Sequence, residues 1–197
     1  MNFDSISQEP LLEVKYFLEQ ARDKELRDWN GMTVSTVDED QRPSSRVVLL
    51  KKFTDEGLFF YTNYKSKKGQ DISNNKNVSV NFWWRELQVQ IRISGSISEA
   101  SRSESEEYFN SRPKGSRISA IVSKQSEEIE SFESFQKIVE EAISNLDEKD
   151  IKLPDHCGMY KIMPSQIEIW KEGEFRRHER TLFKLEGKKW IKSYLSP

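Results

Sequence analysis

Thiols and imidazoles are scarce in this chain. Of 197 residues one is a cysteine, Cys157, and two are histidines, His156 and His178. A single cysteine excludes an internal disulfide. Adjacent His156 and Cys157 with no spaced partner make a poor zinc site, so no metal is expected and both are read as parts of a local turn or structural contact. No apolar stretch is long enough to cross a bilayer, and the opening MNFDSISQEP has neither the basic nor the apolar region of an export signal. Cytoplasmic residence without a membrane partner is the expectation. Nor is there an excess of positive charge: the formal net charge is -2, which argues against a general nucleic-acid binder while leaving room for a local basic patch. No internal repeat and no flexible linker interrupts the chain. With 35% hydrophobic and 32% charged residues it reads as one soluble domain over residues 1–197.

What is present is a series of short β patterns with helices at intervals. Leu11, Val14, Leu18 and Ala21 fall on one helical face, widened by Tyr16 and Phe17, with Pro10 in the first turn. Strands are expected over 32–37, 45–53, 57–61, 77–84 and 87–98. The last alternates Gln88, Gln90 and Arg92 with Val89, Ile91 and Ile93, giving one hydrogen-bonding and one apolar face. Ser103 and Glu106 have capping-box spacing ahead of Tyr108 and Phe109, predicting a short helix that breaks at Ser111-Arg112-Pro113. Over 127–146, Ile129, Phe132, Phe135, Ala142 and Leu146 recur at helical spacing, a pattern suited to covering a sheet or a partner subunit. Strands at 166–170, 181–185 and 190–194 complete a predominantly β fold with flanking helices.

Cations gather in four places. The stretch W-K-E-G-E-F-R-R-H-E-R, from Trp170 to Arg180, sets Arg176, Arg177, His178 and Arg180 beside a strand end, where guanidinium groups suit phosphate or carboxylate; a charged hairpin around Gly173 is the plainer alternative. Arg46 and Lys51 flank an apolar strand centre. Five positions apart, they face opposite ways in a regular strand, so shared contact with one ligand requires a bulge or a strand end, and otherwise they only solvate the ends. Ser66 is placed to cap a short helix that would aim amides and Lys67 or Lys68 at a phosphate. Arg112, Lys114, Ser116 and Arg117 form a further hydroxyl-and-cation group, able to bind phosphate or to solvate a loop.

R-V-V-L-L-K (46–51), Y-T-N-Y-K-S-K-K (61–68), Q-I-R (90–92), Y-F-N-S-R-P from Tyr108, S-K-Q-S from Ser123, I-E-I-W followed by R-R-H-E-R, and the terminal W-I-K-S-Y-L-S-P follow one another in an order that resembles the FMN-dependent pyridoxine (pyridoxamine) 5'-phosphate oxidase family, from the helix at Leu11 to Pro197. The resemblance implies an FMN-binding split barrel with an N-terminal helix and a C-terminal dimerisation and substrate-site portion. It also implies a homodimer with two FMN sites formed at the subunit interface. By that comparison Arg46, Val47, Val48 and Leu49 line the FMN site, Tyr61 and Thr62 support it, and Lys67 and Lys68 approach its phosphate. Gln90 and Gln125 make polar flavin contacts, and Trp170 and Arg180 complete the cofactor set. For substrate, Lys51, Tyr108, Arg112 and Ser116 are implied as a 5'-phosphate cradle, with Arg176 and His178 near the reactive pyridine side as the catalytic candidates.

The reaction so implied is oxidation of pyridoxine 5'-phosphate or pyridoxamine 5'-phosphate to pyridoxal 5'-phosphate by hydride transfer to FMN, with O2 reoxidation giving H2O2. The implied partners are therefore a phosphorylated B6 vitamer, O2 and a second copy of the chain. Three departures accompany the match. C-G-M-Y (157–160) replaces a tryptophan-glycine-glycine-aromatic pattern, Val89 stands where arginine is common, and R-R-H-E-R replaces arginine-leucine-histidine-aspartate-arginine. The H-E-R and S-K-Q-S-E-E stretches are also similar to the flavin oxidases of phenazine biosynthesis, which act on larger tricyclic substrates. A flavin-binding protein with little turnover is a further alternative. Lys51 and Y-F-N-S-R-P favour the phosphorylated vitamin.

Overall fold

Helix α1 (Glu9–Asp23) forms where the apolar spacing predicts it, with Pro10 in its first turn and Leu11, Val14, Leu18 and Ala21 buried. The computed structural model describes residues 3, 6–24 and 26–197. Phe17 packs at the core edge, but Tyr16 is exposed rather than part of the buried stripe. Two positions from both Val14 and Leu18, it falls on the other side of a helix whose period is about 3.6 residues.

Strands β1 (Gly31–Val37) and β2 (Pro43–Leu49) form a hairpin with Gly31 opposite Leu49. The single strand expected over 45–53 is two strands. After Leu49 the backbone changes partners: Leu50 N–H donates to Asn30 O at 2.8 Å and Lys51 N–H to Phe59 O at 2.7 Å. The chain thereby leaves β1 and joins β3 (Lys52–Thr54) and β4 (Gly57–Asn63). Helix α2 (Lys67–Asn74) follows, then β5 (Asn77–Trp84) and β6 (Val89–Glu99), both close to expectation.

The next three helices depart more from the sequence reading. Helix α3 (Arg102–Asn110) is capped by Ser101 and Glu104, not Ser103 and Glu106. Ser101 accepts from the Glu104 amide and the Glu104 carboxylate reaches back to the Ser101 amide. That register buries Ser105 and Phe109. Helix α4 (Lys114–Val122) occupies what reads as a loop, because Pro113 sits at the cap, outside the first helical amide, where its missing N–H costs nothing. Helix α5 (Phe132–Asn145) starts at its Ser131 cap, later than position 127. It leans on α4 through the cluster that includes Ala142 and Leu146, while Phe132 and Ile138 stay exposed.

Strand β7 (Cys157–Lys171) is far longer than 166–170, and it organises the sheet. Its first half pairs with β4 and its second half with β8 (Glu179–Glu186), while β6 runs along its other flank. Strand β9 (Lys189–Tyr194) extends the sheet from β8. The switch of partner coincides with a bulge: Gly95 lies opposite Pro164, yet Ser94 lies opposite Gln166. Two glycines allow it, since a Cβ on Gly57 would meet Ile162 O at 2.0 Å and one on Gly95 would meet Met163 O at 2.1 Å. The main path of the sheet is β2-β1-β5-β6-β7-β4-β3, antiparallel throughout and curled so that β2 approaches β4.

The core inside this curl joins the buried face of α1 to Phe53, Phe60, Phe82, Ile91 and Ile162. Each such side chain stabilises the fold by about 1.5–3 kcal/mol relative to exposure. A second cluster, Phe109, Ile118, Ile151, Leu153 and Cys157, ties α3 and α4 to the start of β7. No helix among the described residues is long and apolar enough to cross a membrane, and those residues contain no cluster of metal-ligating side chains.

Candidate active site

A cleft of about 550 Å³ opens where β2, β4, α2 and the α3–α4 turn converge. Arg46, Val47, Val48 and Leu49 supply the β2 wall, and Lys51 comes from the crossing segment that follows. Because the strand ends at Leu49, Arg46 and Lys51 reach one cavity despite their odd separation. Tyr61 and Thr62 come from β4, Lys67 and Lys68 from the first turn of α2, and Tyr108 and Arg112 from the end of α3 and the turn after it. Gln125 and Ser126 close it; Ser126, at φ +76°, is a wall residue that the sequence offered only as part of S-K-Q-S.

Two groups of cations line this cleft. At the α2 end the Ser66 hydroxyl caps the helix by accepting from the Gly69 amide. The buried Lys68 ammonium donates to Ser66 Oγ at 3.0 Å, Thr62 Oγ1 at 3.1 Å and Gln125 Oε1 at 3.0 Å. Burial, reinforced by the Arg46 charge, pushes its pKa down to about 8. Lys67 donates to Asp71 Oδ1 at 2.6 Å, and Arg46 donates to Thr36 Oγ1 at 2.7 Å and Ser44 Oγ at 2.6 Å. Near the α3–α4 turn the Arg112 guanidinium lies 4.8 Å from the Tyr61 ring centre, and Lys51 Nζ lies 5.6 Å from that of Tyr108. Tyr61 and Tyr108 pack ring to ring at 5.3 Å. Lys51, Lys68 and Arg112 have no carboxylate partner among the described residues. Buried Tyr61 Oη and Arg112 Nη1 likewise have no hydrogen-bond partner there. Unneutralised cations and unpaired donors suit an anionic, hydrogen-bonding occupant.

The remaining expected residues are not in this lining. Ser116 stands in the first turn of α4, its amide bonded to Pro113 O. Gln90, Trp170 and Arg180 sit in register across β6, β7 and β8. Gln90 Nε2 donates to Asn81 Oδ1 at 2.7 Å, which leaves its own amide oxygen as an acceptor. The Trp170 ring packs against His178 at 4.5 Å and Trp83 at 6.0 Å. Glu168, buried, binds both Arg92 and Arg180, the latter at 2.8 Å, and these ion pairs hold its carboxyl below its ordinary value against the opposing effect of burial. The charge of Glu179, the residue that departs from the family pattern, is taken up by Lys171 at 3.0 Å rather than by Arg180.

Arg176 and His178 lie in the β7–β8 connection. Phe175 and Arg176 both take positive φ, +54° and +62°, which is costly for residues with a Cβ, and Phe175 is 84% exposed. Arg177, for which the sequence offers no role, stacks on Phe175 at 5.5 Å. His178 Nδ1 accepts the Gly173 amide at 3.3 Å, which places the proton of the neutral ring on Nε2. One chain therefore presents two separate constellations, a cationic cleft and an aromatic and amide face on β6–β8 with its loop.

The cleft suits FMN on the chemistry of its donors. The Arg46, Lys67 and Lys68 group would offset a phosphate, Gln125 offers an amide, and the β2 wall of Val47, Val48 and Leu49 suits a flat apolar ring. Comparison with known proteins agrees. The family described as "Pyridoxamine 5'-phosphate oxidase" matches residues 18–145, and "Pyridoxine 5'-phosphate oxidase C-terminal dimerisation region" matches residues 158–197. A pyridoxine/pyridoxamine 5'-phosphate oxidase of Nostoc punctiforme is 40% identical over 189 residues, 95% of this chain and 88% of that protein. Its counterpart in Trichormus variabilis is 42% identical with the same coverage. Among solved structures, PhzG from Burkholderia lata in complex with tetrahydrophenazine-1-carboxylic acid superposes with a TM-score of 0.90 at 26% identity, covering 98% of this chain and 95% of that one. The curled sheet is the split barrel of these flavoproteins, and the chain belongs to the FMN-dependent pyridoxine/pyridoxamine 5'-phosphate oxidase family.

Proposed function

We propose that this chain, as a homodimer, oxidises pyridoxine 5'-phosphate or pyridoxamine 5'-phosphate to pyridoxal 5'-phosphate with release of hydrogen peroxide. The observation that carries this reading is the presence, in one cleft, of two groups of cations: Arg46, Lys67 and Lys68 beside α2, and Lys51 and Arg112 beside Tyr108 and Tyr61. Two phosphorylated molecules side by side account for both. FMN at the α2 end supplies the two-electron acceptor that O2 regenerates. Lys51, Tyr108, Arg112 and Ser116 hold the substrate phosphate, the guanidinium as a planar donor and Lys51 as a point charge. Arg176 and His178, brought from the partner subunit by the dimerisation region, orient the pyridine. His178, with its proton on Nε2, can donate a hydrogen bond to the substrate as C4' loses hydride. The alcohol substrate yields aldehyde directly; the amine yields an imine that water hydrolyses to aldehyde and ammonia.

The test is aerobic turnover of the FMN-loaded protein with each phosphorylated vitamer, read as pyridoxal 5'-phosphate and peroxide formed in equal amounts. No product from either vitamer sinks the proposal. The likeness to PhzG with its bound phenazine supports a second reading, oxidation of a reduced tricyclic carboxylic acid, in which Lys51 and Arg112 would meet a carboxylate. An anaerobic comparison of flavin bleaching by the two substrate types separates them. Arg112→Ala is expected to raise the KM for a phosphorylated vitamer by about tenfold or more, the worth of one charge-assisted hydrogen bond, and to leave FMN retained. Equal loss of cofactor would remove Arg112 from the substrate role.

A further inference from the structure

Asp71 is 1% exposed, and its carboxylate is engaged by four groups. Oδ1 accepts Lys67 Nζ at 2.6 Å; Oδ2 accepts Thr36 Oγ1 at 2.6 Å and Ser44 Oγ at 3.1 Å, with Arg46 Nη2 at 3.8 Å. A carboxylate only accepts and a hydroxyl carries one hydrogen. Both hydroxyl hydrogens are therefore committed to Asp71. The lone pairs of Thr36 and Ser44 are left facing Arg46, which donates to them through Nη1 at 2.7 Å and Nη2 at 2.6 Å, with Val34 O as a third acceptor at 3.3 Å. The guanidinium is clamped in its plane and its remaining donors are free for the cleft. Of this network only Arg46 and Lys67 line the cleft; Asp71, Thr36 and Ser44 stand behind them.

We propose that Asp71 is the positioning residue of the cofactor-phosphate end, acting through Thr36 and Ser44 on Arg46 and directly on Lys67. The proposal rests on FMN phosphate lying at the α2 end. The Asp38 carboxylate also reaches Lys67, at 3.4 Å, so the three cations Arg46, Lys67 and Lys68 stand against two carboxylates and keep a net positive charge for an anionic phosphate. Two effects oppose one another when the carboxylate is neutralised. Removing a negative charge behind the cations favours an anion by Coulomb attraction. An amide in its place has one acceptor oxygen and one donor nitrogen. With the oxygen on Thr36 and Ser44 the nitrogen opposes the Lys67 ammonium, and with the nitrogen on the hydroxyls at least one of them reverses and points its hydrogen at Arg46, so in either orientation one cation loses its anchor. Geometry dominates here because Thr36 and Asp71 are buried, where an unmatched donor is costly.

The experiment measures dissociation constants for FMN and for riboflavin, which shares the ring and lacks the phosphate, in the full-length wild type, Asp71→Asn and Thr36→Val. Each substitution is expected to weaken FMN by about tenfold, the value of a hydrogen bond to a charged group, while riboflavin affinity changes by less than about twofold. Thr36→Val keeps shape and every charge, so it decides the matter if Asp71→Asn is too unstable to titrate. FMN binding that is unchanged or tighter in these variants overturns the proposal, as does equal weakening of FMN and riboflavin, which would mark a structural role. A wild type that binds both flavins alike overturns the cofactor assignment itself. A wild-type preference for FMN that survives both substitutions overturns the role of Asp71 alone.

Discussion

Burial of the Lys68 ammonium among three oxygen acceptors lowers its pKa from 10.5 to about 8, with desolvation as the main cause and the Arg46 charge adding to it. A cofactor phosphate bound beside it, as proposed, would favour the charged form. Above about pH 8, FMN binding must then take up a proton, and affinity falls by up to about tenfold per pH unit until the ordinary lysine range is reached. Riboflavin binding should lack that slope, and Lys68→Met should abolish it for FMN. The sign for stability is opposite. Between about pH 8 and 10.5 the unfolded chain holds more protons than the folded one, so the flavin-free protein gains stability from this group as pH rises through that window. Fluorescence titration of each flavin from pH 7 upward checks the binding prediction, and a flat FMN profile would remove Lys68 from the phosphate. The lysine was legible in the sequence because S-K-K at a helix start is a local pattern. Asp71 was not, since its partners Thr36, Ser44 and Arg46 lie on other elements and only the folded sheet assembles them.

At the scale of elements, α3 illustrates what local signals settle. Its capping box can be drawn from Ser101 to Glu104 or from Ser103 to Glu106, and both have the right spacing. Tertiary contacts choose between them, because the first register lets Glu104 bind Lys52 at 2.6 Å and puts Ser105 Oγ against the Met159 amide at 3.0 Å. The Lys52 ammonium and the Ser101 donors together hold the Glu104 carboxyl down at about 2, from 4.5. That stabilisation is present above pH 4.5 and is lost as pH falls through about 2. Glu104→Gln is therefore expected to cost about 1–2 kcal/mol near neutral pH, discounted for the exposure of Lys52, in urea or thermal unfolding. The deficit should shrink to nothing toward pH 2, whereas Ser103→Ala should be close to neutral. The break after Leu49 and the length of β7 were hidden for a related reason. Continuous apolar runs such as V-V-L-L do not record where a strand changes neighbours, and the bend of β7 depends on Gly57 and Gly95, which are distant in sequence.

At the scale of the molecule, the two constellations pose a geometrical problem that a second copy would solve. Arg112 lines the cleft and Arg176 does not, although the proposed chemistry needs both at one substrate. The β2 edge that walls the cleft exposes apolar Val47, and the face of β5–β8 exposes Trp83 beside Trp170, so each surface leaves apolar area for a partner to cover. The order of motifs made the homodimer readable as a family expectation, yet no residue pattern within one chain says which chain completes which site. A two-fold dimer would unite the cleft of each subunit with the β7–β8 loop of the other. Co-expressed chains carrying Arg112→Ala and Arg176→Ala under different tags give a decisive arrangement. Each parent homodimer is impaired at both sites. In the purified heterodimer one site collects both substitutions and the other collects neither, so the activity expected is about half that of the wild type. If instead Arg112 and Arg176 of the same chain served one site, the heterodimer would contain one site of each impaired kind and would show no recovery above its parents.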